Sequence, residues 1–548
     1  MGHNHHTMQE STTPLRTMAA SPTEITPLLE NLGNHHRKIT TTSDLAQRYF
    51  DEGLTLNYGF NHAEAIRSFK DAITLDSSCA MCHWGIALAL GPNINMPMDP
   101  SAVPDAVAAI QRAVELAPAA SPSERAIIQA LSTRYSLDAN ADRASLDLAY
   151  AAAMRDVAQQ FPDDLDAATL FAEAQMNLTP WQFWTRDGDP TTYTGEIVAT
   201  LESVLTRNPD HPGANHFYIH AVEASRTPDR AVPSAQRLET LVPGAGHLTH
   251  MPGHIYWRVG RYHDAARVNE YSIQVDEEML RRGASGADQG SHSFYSLLYY
   301  PHNVHFLFAA AHMEGRSALA LASARKLVSV IPEQAYTEVP ALEDFRPMPI
   351  FALVRFGMWN EILAEPRPAT ELQYTTGIWH WARGLAYTRL GQTDAAEREY
   401  AELDAIAQTD AMKELTLASF PKAATMLEIA SHILAAELAA GRGQTDEAIS
   451  RLEAAVLLQD DLAYIEPPAW FAPVRHTLGA LLLTDGRAAE AEAVYREDLR
   501  QYPANGWSLF GLAKSLQAQG MIDEAAAVQR AFAEAWQHAD VELTASRF

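Results

Sequence analysis

Eight residues near the middle of the chain have the types and spacing of a metal-binding or acid–base site. His216, His220 and Glu223 follow one another at steps of four and three, and His247, His250 and His254 at steps of three and four. His302 and His305 stand three apart. On a helix such steps return to one face, so each run forms a stripe of side chains. Neutral imidazole suits zinc, copper and iron, and two imidazoles four residues apart are a common ligand pair. A carboxylate one turn further, as Glu223 is, can ligate, orient a histidine or act as a base. His216 and His250 are 34 residues apart, and so are His220 and His254. Chemistry that recurs at a fixed interval implies that the element carrying it recurs too.

That element is legible along most of the chain. Many segments share a Gly, an Ala five residues later, one or two apolar residues within the next turns, and a Pro near +17. Gly486, Ala491, Tyr495 and Pro503 form one copy, and Gly315, Ala320, Ala324, Leu327 and Pro332 another. Further copies begin at Gly260, Gly391, Gly443 and Gly520; the first, with Ala65, Phe69 and Ala72, has its glycine, Gly59, one residue early. The pattern resembles the tetratricopeptide repeat, a 34-residue pair of helices in which a small residue lets the two pack closely and Pro closes the second. The small residue falls at Ala65, Ala106, Ala231, Ala265, Ala320, Ala396, Ala448, Ala491 and Ala525, with Tyr150 and Ile197 in the slot of two further units and an imperfect unit over 351–366. The resemblance implies an all-α solenoid, a superhelix of about eleven to twelve helix pairs.

In that register His216, His250 and His305 take position 5 of the first helix of three units, His220 and His254 position 9, and His247 and His302 position 2. In tetratricopeptide repeats this stripe faces the concave groove. Packed helices lie about 8–10 Å apart, so imidazoles from neighbours can converge on one ion at roughly 2.0–2.1 Å. We expect His216, His220 and His250 as core ligands, His247, His254 and His305 as further ligands, and His302 and Glu223 beside them for catalysis. Pro252 falls inside an expected helix and should leave His247 and His250 on an irregular start. The alternatives are a metal-free polar pocket and plain structural hydrogen bonding. Glu173 maps to the same stripe in an earlier unit; His380 maps off it and is expected to pack.

Three insertions break the period, at 91–100, 179–190 and 278–298. Trp181 and Trp184, in the second, are either a lid or packing aromatics. Cys79 and Cys82, the only cysteines, lie in Cys79-Ala-Met-Cys-His83, a pattern that matches covalent haem attachment. At the entry to a repeat helix they read better as small buried apolar residues than as a haem site or a redox pair. Residues 1–42 are polar and rich in Thr, Ser and Pro, and are expected to be a disordered tail. Repeat units then divide into 43–210, a histidine-rich centre at 211–335, and 336–548. After about residue 370 no polar cluster reads as chemistry.

The net charge of −27 disfavours nucleic acid as a partner. The N-terminus shows no apolar stretch of the secretory type and no membrane span is expected, so the cytoplasm is the default compartment.

Several strings, among them His216-Phe-Tyr-Ile-His-Ala-Val-Glu and Gly246-His-Leu-Thr-His-Met-Pro-Gly-His-Ile-Tyr, are similar to a group of bacterial tetratricopeptide proteins over roughly residues 40–360. That resemblance implies the fold and no particular reaction. The residues support a metal-dependent enzyme acting on a small molecule, oxidative with iron or copper, or hydrolytic with zinc. A scaffold holding a peptide or protein in the groove is the other reading. The oligomeric state is not legible.

Overall fold

The computed structural model describes residues 25–138, 140–283 and 294–548. Every regular element among them is helical, and the helices follow one another as antiparallel pairs that stack into a tetratricopeptide-type solenoid of twelve pairs. Asp44–Tyr58 with His62–Leu75 is the first pair and Gly506–Ala518 with Ile522–Ala535 the last.

The small-residue slot explains the stacking. All nine alanines assigned to it are fully or almost fully buried, as are Tyr150 and Ile197. A methyl there lets the paired helix approach, whereas a longer side chain would hold the two apart. The repeat glycines have a separate task. Gly260, Gly315, Gly391, Gly443, Gly486 and Gly520 all have φ between 71° and 80°, the left-handed conformation that turns one helix into the next. In the first unit the left-handed residue is Phe60, at φ 56°, while Gly59 has φ −94°. The glycine that seems one residue early therefore does not make the turn.

The superhelix brings its last third back against its middle. Trp507 Nε1 donates to the His312 carbonyl at 3.0 Å, and Asp540 accepts from the Ser317 and Ala318 amides at 2.6 and 3.0 Å. The Ala423–Gly441 helix is long and apolar enough to cross a membrane, but two thirds of it is buried among its repeat neighbours.

Two expectations need correction. Residues 25–42, expected to be disordered, form an irregular strap held by ionic contacts; residues 1–24 lie outside the described part. Arg37 donates to both carboxylate oxygens of Asp164, at 2.5 and 2.8 Å, the Leu29 amide donates to Glu52, and Thr40 donates to Glu124. Polar composition was read as lack of a core, but these polar groups find buried carboxylates to pair with. Cys79 and Cys82 are also not free: they form a disulfide across the start of the Ala80–Ala89 helix. Both sulfurs are buried and bonded to each other, which leaves no thiol for haem. Part of the third insertion, 284–293, also lies outside the described residues.

Candidate metal centre

Three successive units supply the histidines through the first helix of each pair. His216 and His220 lie on Pro212–Val222, His247 and His250 on Gly246–His250, His254 on Pro252–Arg258, and His302 and His305 on Tyr300–Met313. Pro252 divides the second helix into two pieces, but Met251 between them keeps helical angles (φ −51°, ψ −35°). His247 and His250 therefore stand on a regular turn, contrary to expectation. Pro sits at the start of the second piece, where its missing N–H would have no helical partner anyway. In the third unit a single π turn, Tyr295–Tyr299, precedes Tyr300–Met313, with Pro301 in its first turn.

The side chains gather as two triads. His216, His220 and His247 form one, and His250, His254 and His302 the other. In the first, the Nε2 atoms of His216 and His247 are 3.2 Å apart. In the second, His250 Nε2 is 2.9 Å from His254 Nε2 and 3.1 Å from His302 Nε2, and the His254 to His302 distance is 3.5 Å. Three imidazoles on one ion, with bonds of roughly 2.0–2.1 Å at a tetrahedral angle, place their nitrogens about 3.4 Å apart. The second triad matches that spacing, as does the His216 to His247 pair of the first, whose donor atoms all lie within 4.8 Å of one another. All the histidines in them are buried except His302, which is partly exposed.

The other ring nitrogens decide what these contacts are. His216 Nδ1 lies 2.5 Å from the Tyr58 carbonyl, which can only accept. His250 Nδ1 lies 2.7 Å from Asn269 Oδ1, and Asn269 Nδ2 is fixed by donating to the Ala265 carbonyl. His220 Nδ1 is 2.8 Å from one oxygen of Glu223, and His254 Nδ1 is 2.6 Å from the other. Each of these four rings carries its proton on Nδ1, so in the neutral form each Nε2 is a bare lone pair. Two bare lone pairs facing one another at about 3 Å repel unless a proton or a metal cation lies between them. His220 Nε2 is buried with no hydrogen-bond partner at all. Binding the Nδ1–H of a ligand imidazole to a carbonyl or carboxylate is how metal sites fix a tautomer and raise ligand basicity.

Electrostatics agrees for four of the rings and differs for His254: burial opposes its charge, but Glu223 and Glu466 outweigh it and raise it to about 9, so without a metal a proton lies between its Nε2 and that of His250. Burial first, and then neighbouring imidazoles, holds His216, His247, His250 and His302 well below the ordinary histidine range, so these rings are neutral. Burial opposes charge on Glu223, but His254 and His220 outweigh it and keep the carboxylate ionised. On Glu466 the same effect of burial, helped by the Glu223 charge, prevails over His254 and raises its affinity for a proton.

A third cluster, His35, Asp166 and His211, shows the contrast. His211 caps its helix by accepting the Ala214 amide on Nδ1, which puts its proton on Nε2, 3.3 Å from Asp166. His35 Nε2 is 3.0 Å from the same oxygen, and Arg37 lies beside the carboxylate. Protons satisfy that cluster, which serves as an anchor for the N-terminal strap.

The predicted residues divide as follows. His302, expected to act in catalysis, supplies a donor atom to the second triad. Glu223 holds one imidazole of each triad and is not free as a base. His305 is not brought to either triad: it packs between Phe308 and Phe345, with centroid distances of 6.2 and 5.6 Å. Three residues beyond His302 on the same helix, its ring meets these phenylalanines in place of the other imidazoles. Glu173 lies in the field of Arg134 and accepts from Asn177, far from the triads. His380 pairs with Glu399 at 2.6 Å and packs on Trp379. Trp181 reaches the site, 5.2 Å from the His220 ring, while Trp184 anchors the insertion by donating to the Ala221 carbonyl.

Other contributors were not anticipated. Phe60 covers the first triad, at 4.6 Å from His216 and 5.4 Å from His247. Phe306 covers the second, 5.0 Å from His250 and 4.8 Å from His254. Glu466 arrives from a loop near the C-terminal end of the chain and lies 3.5 Å from His254 Nδ1. A cavity of about 110 Å³ adjoins both triads and is otherwise mostly apolar, with Trp181, Leu298, Tyr299, Phe345 and Phe420 in its wall. Beyond Trp181 and Glu466 lies a larger cleft of about 790 Å³.

No known protein family and no curated protein matches the sequence. Solved structures of similar fold include the human IFIT1 dimer with m7Gppp-AAAA, 12% identical, with 91% of each chain covered and a TM-score of 0.32. The human IFIT1 dimer with PPP-AAAA is 11% identical over 90% of this chain and 91% of that one, with a TM-score of 0.33. The P58(IPK) TPR domain is 14% identical over 68% of this chain and 93% of that one, with a TM-score of 0.19. Likeness this distant assigns nothing to this chain.

Proposed function

We propose that this protein is a metal-dependent enzyme, with a transition-metal centre held by histidines inside a tetratricopeptide-type solenoid. The supporting observation is the inward convergence of Nε2 atoms from rings whose Nδ1 protons are already committed to Tyr58, Asn269 and Glu223. A donor set of imidazoles without thiolate suits copper, iron or zinc. The adjoining cavity, small and largely apolar, fits a small uncharged substrate better than a peptide. Glu223 has both oxygens engaged, which removes the nearest base a zinc hydrolase would use and favours oxidation with iron or copper. The hydrolytic reading draws instead on Glu466, whose Oε2 is buried without a hydrogen-bond partner.

The fold by itself supports a second reading, a scaffold that holds a peptide or protein partner, as most such arrays do. Metal analysis of the purified chain separates the two. Stoichiometric copper, iron or zinc that survives dialysis and falls in His250→Ala supports the metal centre. A wild-type chain that takes up none of these ions at micromolar concentration leaves the scaffold.

A further inference from the structure

We propose that the centre holds two ions, one in each triad, with Glu223 joining their outer ligand spheres. This rests on the metal-centre reading above and goes beyond it in number and connectivity.

The geometry separates the six histidines into two threes. Within each group the donor atoms all lie within 4.8 Å of one another, and among the described residues no such group takes in four histidines. One ion with bonds of roughly 2.1 Å cannot have ligand atoms more than about 4.2 Å apart. A single ion therefore reaches one triad, and the other would remain three gathered imidazoles, two of them with Nδ1 already committed to an acceptor. The triads are nonetheless adjacent. The His220 and His254 rings are 5.2 Å apart between centroids, and the His247 and His250 rings 5.7 Å.

The halves are also built alike. Each triad takes one imidazole oriented by Glu223, His220 in the first and His254 in the second. Each has a second imidazole oriented by a neutral carbonyl oxygen, Tyr58 for His216 and Asn269 for His250. Each is completed by a histidine from the next unit, His247 or His302, and each is covered by one phenylalanine, Phe60 or Phe306. The 34-residue repeat generates this doubling, because it delivers the same pair of histidines twice. The ligand chemistry common to both halves is a divalent or monovalent first-row cation with an affinity for imidazole.

The test is titration of the full chain with Co²⁺ under anaerobic conditions, following its visible absorption. His3, His5 and His6 are replaced by alanine so that the N-terminal histidines do not contribute. We expect two equivalents in the parent, about one in either His216→Ala or His302→Ala, and none in the double variant. Circular dichroism checks that each variant keeps its helices, and His216→Gln and His302→Gln replace any alanine variant that does not. Glu223→Gln should weaken both equivalents together, since one carboxylate serves both halves. One equivalent in the parent, abolished by His216→Ala and by His302→Ala alike, would mean a single shared site and overturn the two-ion inference while leaving a metal centre. No uptake by the parent would overturn both.

Discussion

His250 and His254 face each other through Nε2 atoms 2.9 Å apart while each commits Nδ1 to an acceptor, Asn269 Oδ1 for one and Glu223 Oε2 for the other. A metal cation placed between them displaces the proton that His254, raised to about 9 by Glu223 and Glu466 against its burial, holds there, and makes two bonds. Binding to the folded state alone should therefore stabilise the chain, by about 2.7 kcal/mol at a free-ion concentration a hundred times Kd. Urea unfolding with and without saturating Zn²⁺ should show at least that difference in the parent and a smaller one in His250→Ala. An unchanged midpoint in the parent would argue against the site.

Glu223→Gln changes tautomers as well as charge. A glutamine can accept from one imidazole Nδ1–H but must offer N–H to the other, forcing that ring to carry its proton on Nε2, where a metal would bind. Loss of such an orienting group typically costs 10–100-fold in metal affinity. Competition with a chelator should show a loss of at least that size. Equal affinity in Glu223→Gln and parent would mean that the carboxylate does not set the tautomers.

The fold was legible because its signals are local and repeated. The slot residues from Ala65 to Ala525 and the turn glycines read the same way nine and six times over, and the structure keeps them. The pairing of histidines on one stripe was legible for the same reason. Their division into two triads was not, since it depends on how far neighbouring helices rotate, and the register cannot give that. His302 and His305 illustrate the limit: three residues apart on one helix, one meets His250 and the other meets Phe345. Glu466 was beyond reach because it lies 212 residues after His254 in sequence and arrives only through the curvature of the whole solenoid. The strap and the disulfide are not legible in composition, because they depend on particular partners: Asp164 and Glu124 at later helices for Arg37 and Thr40, and Cys82 for Cys79.

Close helix packing around Tyr495 gives a test of the stacking itself. A Cβ on Gly511 would lie 2.1 Å from the Tyr495 ring and one on Gly479 2.4 Å from it, whereas one on Gly195 would meet nothing within 4 Å. Gly511→Ala should lower stability by about 1–3 kcal/mol through overpacking. Gly195→Ala, in an exposed helical turn, should be neutral or slightly stabilising, by up to about 1 kcal/mol. Denaturant midpoints for the two variants check this, and equal effects would contradict the packing described.

The last prediction concerns pH and is made for protein kept metal-free with a chelator. The Asp344 carboxyl is buried, accepts the Ser419 amide at 2.8 Å, and is raised by burial to about 6. In the unfolded chain an aspartate titrates near 3.9. Between these two values the folded protein holds the proton more tightly than the unfolded chain, so folding stability falls as pH rises from about 4 to about 6. A shift of roughly two units corresponds to about 3 kcal/mol, present as a penalty above pH 6 and absent below pH 4. Asp344→Asn keeps the acceptor for Ser419 and removes the charge. The stability of the variant relative to the parent should therefore increase steadily between pH 4 and pH 6.5 and then level off. Chemical unfolding of both proteins across that range measures the gap directly, and all other titrating groups cancel in the difference. A gap that stays constant with pH would show that Asp344 keeps an ordinary carboxylate affinity in the fold and that its burial is relieved by water.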